Sequence, residues 1–141
     1  PFVQLGWSRG DVTAADGTST PARRVMPLQG SGGVRWAQPT RGLWFAVVSR
    51  FAAAQDRLHP SDRNDLRICA DPVNPSAVLT GDTCTGTPAW ATLNVRGGWR
   101  WHQALRLDLA LTNILDATYR EHGSGFDAAG TGLSVSLSGR Y

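Results

Sequence analysis

Residues 104–112 read Ala-Leu-Arg-Leu-Asp-Leu-Ala-Leu-Thr. In an extended chain Leu105, Leu107, Leu109 and Leu111 fall on one side, and Arg106, Asp108 and Thr112 fall on the other. A period of two marks a strand whose faces meet different surroundings. The end of the chain repeats it, with Leu133, Val135, Leu137 and Tyr141 alternating with Ser134, Ser136, Ser138 and Arg140. Between 91 and 101, Leu93, Val95, Trp99 and Trp101 alternate with Thr92, Asn94, Arg96 and Arg100. Upstream the pattern is rougher. Residues 25–36 set Met26, Leu28, Val34 and Trp36 against Gln29, Ser31 and Arg35. Residues 42–52 set Leu43, Phe45, Val47 and Phe51 against Arg50, with Trp44 and Val48 blurring the alternation. Residues 2–8 offer Val3, Leu5 and Trp7 against Gln4 and Ser8. Six strands result, and the fold class is all-β and antiparallel.

Composition agrees. All 14 basic residues are Arg, and of the 11 acidic residues only Glu121 is not Asp. The straight-chain helix formers Lys and Glu are thus nearly absent, while 16 Gly and 8 Pro favour turns. The net charge of +3 is mild and spread along the chain, with only Arg23 and Arg24 adjacent, which argues against nucleic acid as a partner. No apolar run is long enough for a transmembrane helix, but a transmembrane barrel needs none. The first residue is Pro and no signal peptide precedes it, so a fragment or a processed product is expected. Connectors alternate in length. Residues 37–41 and 101–104 are tight, while 9–24, 53–89 and 113–130 are long. A compact domain rarely carries a structureless loop as long as 53–89, whereas a meander with short turns at one end and long loops at the other is the layout of an outer-membrane barrel.

Period alone does not say whether the apolar face meets a core or lipid. The aromatic positions do more. Trp36 and Trp44 flank the first short turn, Trp99 and Trp101 precede the second, and Tyr141 ends the chain, all at one end of a meander. Trp7 and Trp90 fall beside long loops at the other. Two girdles of this kind are expected at membrane interfaces. The same phase sends Arg35, Arg50, Arg96, Arg100, Arg106 and Asp108 to the polar face, which would line a lumen. Arg on lipid at mid-membrane costs roughly 2–4 kcal/mol, so the opposite phase is not tolerable.

The segment 112–130, Thr-Asn-Ile-Leu-Asp-Ala-Thr-Tyr-Arg-Glu-His-Gly-Ser-Gly-Phe-Asp-Ala-Ala-Gly, resembles the end of TonB-dependent outer-membrane receptors. There, an Asn-Leu-Phe-Asp-like segment closes the penultimate strand and a Gly-rich loop leads to a last strand with a terminal aromatic. Asn113, Leu115, Asp116 and Tyr119 carry the match, and Ile114 stands where Phe is usual. Ala52 to Leu58 with Ser61-Asp62, and Thr87-Pro88 before Leu93 to Arg96, resemble the same family. The resemblance covers most of the chain and is motif-like in its last third. It implies the last six strands of a 22-stranded barrel, residues 1–141 being a C-terminal segment without the N-terminal plug. It further implies uptake of a small ligand such as a ferric siderophore, cobalamin, another metal chelate or a glycan. Energy would come from the TonB complex through the plug, in the outer membrane of a Gram-negative bacterium. Gly132, Val135, Leu137 and Tyr141 fit the terminal strand that the barrel-assembly machinery recognises, although Tyr replaces the commoner Phe. The polar-face arginines would pair with Asp108 and with carboxylates of the plug, or favour an anionic ligand. A passive porin, an autotransporter translocator and a secreted all-β binding domain are the rival readings.

Other chemistry is sparse. Cys69 and Cys84 share the longest loop, and an oxidising compartment would allow a disulfide worth about 3 kcal/mol in the chain-entropy model, with two free thiols as the alternative. No His lies at metal-ligand spacing from either Cys, and His59, His102 and His122 are far apart. Glu121-His122-Gly123-Ser124-Gly125 lacks the first Gly of a nucleophile elbow. Asp71, Asp82 and Asp127 read as turn formers, with no calcium-loop pattern. No catalytic residue, cofactor or metal site is expected, and the protein is not read as an enzyme.

Overall fold

The computed structural model describes residues 1–71, 74, 77–79, 83–102 and 104–139. Arg140, Tyr141 and Asp82 lie outside them. Strand β1 (Phe2–Gly6) is followed by a small ribbon, β2 (Asp11–Thr13) with β3 (Ser19–Pro21), and then by β4 (Gln29–Gln38) and β5 (Leu43–Ala52). A short helix, α1 (Leu66–Cys69), interrupts the longest connection, and β6 (Trp90–Trp101), β7 (Leu105–Thr112) and β8 (Gly132–Gly139) complete the chain. Six strands form one antiparallel sheet in the order β1-β4-β5-β6-β7-β8, and β2 pairs with β3 separately. The sheet is open, with β1 and β8 at its edges. Its five long strands have 8 to 12 residues, near the roughly 9–11 that a tilted strand needs to cross a bilayer.

Two differences from the sequence reading have simple causes. The strand expected at 25–36 runs from Gln29 to Gln38, because Pro27 has no N–H for a ladder and the strand starts beyond it. The ribbon β2–β3 lies inside a segment expected to be a plain loop. It is held by pairing of Val12 with Thr20 around a turn at Gly17, which has φ 84°.

The short turns explain themselves. Pro39 opens a 3-10 turn over Pro39–Arg41, and Gly42 closes it in the left-handed region at φ 64°, its N–H donating to the Pro39 carbonyl at 3.1 Å. A Cβ on Gly42 would run into the Arg100 carbonyl of the adjacent strand, so turn and register require glycine here.

Register aligns the apolar positions across the sheet. Trp36 faces Phe45, Val34 faces Val47, Val47 faces Val95, Trp99 faces Leu107, and Leu107 faces Leu137. Partners in register point to the same side, so one face of the sheet is apolar from β1 to β8. No described residue outside the sheet covers it. Leu133, Val135 and Leu137 are 70%, 62% and 68% exposed, and Val3, Leu5, Val34, Phe45, Trp99 and Trp101 are exposed as well. The buried hydrophobic cluster sits elsewhere, in the connection 53–89, where Leu58, Ile68, Cys69 and Cys84 pack together with Val78 and Leu79.

Candidate functional site

Two places carry polar chemistry, the polar face of the sheet and the cap formed by the three long connections. On the polar face, register assigns every expected lumen-side residue to the same side. Arg35 and Arg96 flank Ala46, Asp108 faces Gly98, Arg100 faces Arg106, and Arg50 faces Thr92. The structure brings Arg35, Arg96, Arg100, Arg106 and Asp108 together on the half nearer the short turns. Arg50 stands apart at the long-loop end, where it donates to Glu121 at 2.9 Å and lies 5.7 Å from the centre of the Trp90 ring. Arg106 makes two hydrogen bonds to Asp108, at 2.5 and 2.9 Å.

The two aromatic girdles need correcting. Trp36, Trp99 and Trp101 do lie on the apolar face at the short-turn end. Trp44 does not. It shares a face with Ala46 and Arg50, and the Arg35 guanidinium lies 4.7 Å over its ring. Its indole reaches across β6 because Gly98 has no side chain to block it, and there it meets the Asp108 carboxylate. Trp90 is also on the polar face, packed against Tyr119 of the last loop with ring centres 4.2 Å apart and planes tilted by 32°. Distance from a turn does not set the face of either residue; their even-numbered phase with Arg50 does.

The long connections are locked to one another. Asp62, 1% exposed, accepts from the Arg23 side chain at 3.2 Å and from the Arg24 amide at 2.9 Å. Asp65 takes the Arg24 guanidinium at 3.2 Å and caps α1 through the Arg67 amide at 3.0 Å. Arg57 reaches back to the Gly10 carbonyl at 3.0 Å and to Asp11, and Gln55 donates to the Val25 carbonyl at 2.7 Å. The connection 53–89 is therefore far from structureless, contrary to its reading as a bare loop. Cys69 and Cys84 are joined by a disulfide, their Cα atoms 5.4 Å apart, at the centre of its small core.

The last connection joins the cap through Thr87 Oγ1 and His122 Nδ1, 2.7 Å apart, with both residues buried. Burial holds His122 below its usual pKa, and Asp62 and Asp65 oppose that shift to a smaller extent. At the base of the connection, Asn113 is 4% exposed and adopts a left-handed φ of 48°. Its backbone N–H donates to Asn94 Oδ1 at 3.0 Å, its side-chain oxygen accepts from the Ala117 N–H, and its amide donates to the Ala117 and Ala129 carbonyls. Asp116 accepts from the Thr131 N–H at 3.0 Å. Asn113, Asp116 and Tyr119 thus tie down the loop base, while Leu115 is exposed.

Sequence reading missed Gln55, Asp62, Thr87 and His122 as fasteners. Polar residues in loops carry no periodicity, and their partners lie 30 to 39 residues away. His59 caps a 3-10 turn by accepting from the Ser61 N–H at 3.0 Å. Among the described residues no group of three His, Cys, Asp or Glu side chains is placed to hold a metal. Among the described residues no helix is long and apolar enough to cross a membrane.

No family model matches the sequence, and no curated protein does. In structure, 96% of the chain superposes on 20% of a copper transporter, OprC, with a TM-score of 0.67 and 16% sequence identity. At that identity the likeness concerns fold. The chain thus spans a small part of the protein it matches.

Proposed function

We propose that this chain is the C-terminal wall of an outer-membrane β-barrel of the TonB-dependent receptor type. In that reading it serves uptake of a scarce ligand, such as a ferric siderophore or another metal chelate, energised through TonB. The observation that carries it is the bare apolar face. A soluble domain gains about 1.5–3 kcal/mol for each large apolar side chain it hides from water, yet no large apolar side chain of that face is fully buried, while the only buried hydrophobic cluster among the described residues lies in a connection. Lipid supplies what the chain lacks. The arginines then fall on the side that does not meet lipid, as the cost of an arginine in hydrocarbon requires.

In this arrangement Arg35, Arg50, Arg96, Arg100, Arg106 and Asp108 face the lumen, and the locked cap of residues 9–24, 53–89 and 113–130 lies on the outer side, where ligand arrives. Further strands would pair with the open edges of β1 and β8, since an unpaired edge is not stable in hydrocarbon. Gly132, Val135 and Leu137, with Tyr141, would present the strand that the assembly machinery reads. The fold shared with a copper transporter supports transport of a metal-bearing solute.

The test is uptake of labelled ferric chelates and of copper by cells with and without the gene, before and after an uncoupler. Fractionation and mobility on unheated gels are followed alongside. A heat-modifiable outer-membrane protein and saturable, uncoupler-sensitive uptake are expected. Uptake that ignores the uncoupler would point to a passive porin-like barrel. Recovery of the protein without detergent would overturn the barrel and favour a secreted all-β binding domain.

A further inference from the structure

Three contacts in a short strip of the last long connection hold it against the wall beside it. The Tyr119 ring packs on Trp90, Glu121 accepts from Arg50 at 2.9 Å, and His122 Nδ1 meets Thr87 Oγ1 at 2.7 Å. Acid acts on these contacts differently. The ring pair carries no charge. Arg50 and Glu121 are both about half exposed, and an ion pair open to water contributes little. The third contact is buried, with His122 8% and Thr87 5% exposed. A proton gained by a buried imidazole must be stabilised by the groups around it. The two carboxylates that act on His122 are Asp62 and Asp65, and both are already engaged. Asp62 takes the Arg23 side chain and the Arg24 N–H, and Asp65 takes the guanidinium groups of Arg24 and Arg67. In its own connection, Glu121 is held by Arg50 and Asp127 by Arg120. Arg67 also approaches this connection, since a Cβ on Gly125 would lie 2.8 Å from its Cγ. Thr87 can turn its hydroxyl to accept from a protonated ring, so the bond itself tolerates the proton. The buried charge is what the closed arrangement does not tolerate.

We propose that His122 is the trigger of an acid-released latch, which holds the connection 113–130 closed over Trp90 and Arg50 at neutral pH and frees it when the ring is protonated. The direction follows from burial, which holds the closed ring below its ordinary pKa of 6.5. The open connection therefore takes the proton first. The latch is shut above pH 6.5, opens as pH falls from there towards the closed-state value, and gains nothing further below it. What opening uncovers lies on the polar face. Trp90 and Arg50 line a cavity of about 250 Å³ together with Gln4, Gln29 and Ser31. With the connection closed, Tyr119 covers part of the indole and Glu121 occupies the guanidinium, so acid enlarges the cavity and releases its one cationic group. The inference rests on contacts between the long connections and not on transport, so its failure leaves the uptake reading standing and the reverse also holds.

The experiment places a nitroxide spin label on Phe126→Cys in the full detergent-purified protein, Cys69 and Cys84 being closed to labelling by their disulfide. The mobile fraction of the label is followed from pH 8 down to pH 5, and heat-modifiable mobility checks the fold of each variant. A reversible rise below pH 6.5 is expected, with a slope of at most about tenfold per pH unit, the limit for one proton. His122→Gln, which stays neutral, should flatten the rise. Thr87→Val should leave the label mobile at pH 8 already, and Glu121→Gln should keep the pH step. Acrylamide quenching of the fluorescence that Trp90→Phe removes should grow over the same window. A label whose mobility ignores pH, or a step that survives His122→Gln, would overturn the latch. A step that only Glu121→Gln abolishes would overturn it too, by assigning the effect to the Arg50 pair. Quenching of Trp90 that stays constant while the label loosens would overturn the uncovering of the cavity.

Discussion

The sheet and the connection 53–89 treat apolar surface in opposite ways. In the sheet, Leu133, Val135 and Leu137 stand open on a face that no described residue covers. In the connection, Leu58 and Ile68 close around a disulfide. Under the proposed membrane reading, the difference follows the solvent that each region meets. Strand alternation without a covering layer suits hydrocarbon, and a small core stapled by a covalent bond suits water, where so few apolar residues cannot hold a fold unaided.

Moving a charge onto the bare face is the severest way to break that comparison. Leu109→Arg, in the middle of β7, should lower the stability of the bilayer-inserted protein by roughly 2–4 kcal/mol, while Ser136→Arg on the opposite face should leave it nearly unchanged. Urea titration of the folded, heat-modifiable fraction in lipid reads the difference. Equal effects at the two positions would mean that the faces do not see different solvents.

The next test concerns the connection alone. Replacing Cys69 and Cys84 with Ser should remove about 3 kcal/mol from local stability in the chain-entropy model. The loss should appear as protease cleavage between 53 and 89, with the sheet still resistant. Collapse of the whole protein would show that sheet and connection are one cooperative unit.

A smaller effect is expected at the seam. Asp62→Ala strands the Arg24 amide and the Arg23 guanidinium, at a cost of about 1–3 kcal/mol. Faster hydrogen exchange over residues 9–24 should report it, with β5 and β6 unaffected.

The mildest is a pH effect at His122. Its folded pKa lies below the ordinary 6.5 because burial penalises the charged ring. The unfolded connection therefore binds the proton first. Stability is full above pH 6.5, falls as pH drops from there towards the folded pKa, and levels off below it. Exchange in 113–130 should quicken over that window, and His122→Gln should abolish the step.

Much of the sheet was legible because a half-buried strand writes its faces into alternate residues. From Leu105 to Leu111 that script is unbroken, and the observed register reads it directly. Glycine-rich β4 has few side chains to alternate, so its start is set by Pro27 rather than written in alternation. Trp44 and Trp90 show that phase outranks proximity to a turn. The fasteners of the cap were illegible for a different reason. Asp62 and His122 act through partners remote in sequence, and a single polar residue in a loop looks the same whether it meets water or a buried hydroxyl.

Asn113 closes the base of residues 117–129 by bonding to both of its ends, Ala117 and Ala129, while a separate bond to Asn94 anchors it to the sheet. The segment between them is thereby a cassette. Its length and contents can drift, since each doubling of a flexible loop adds only about 0.6 kcal/mol of closure entropy, and the strands beneath keep their register whatever is spliced in. A sheet carrying such a hinge-pin can change what its loop presents without relearning how to fold.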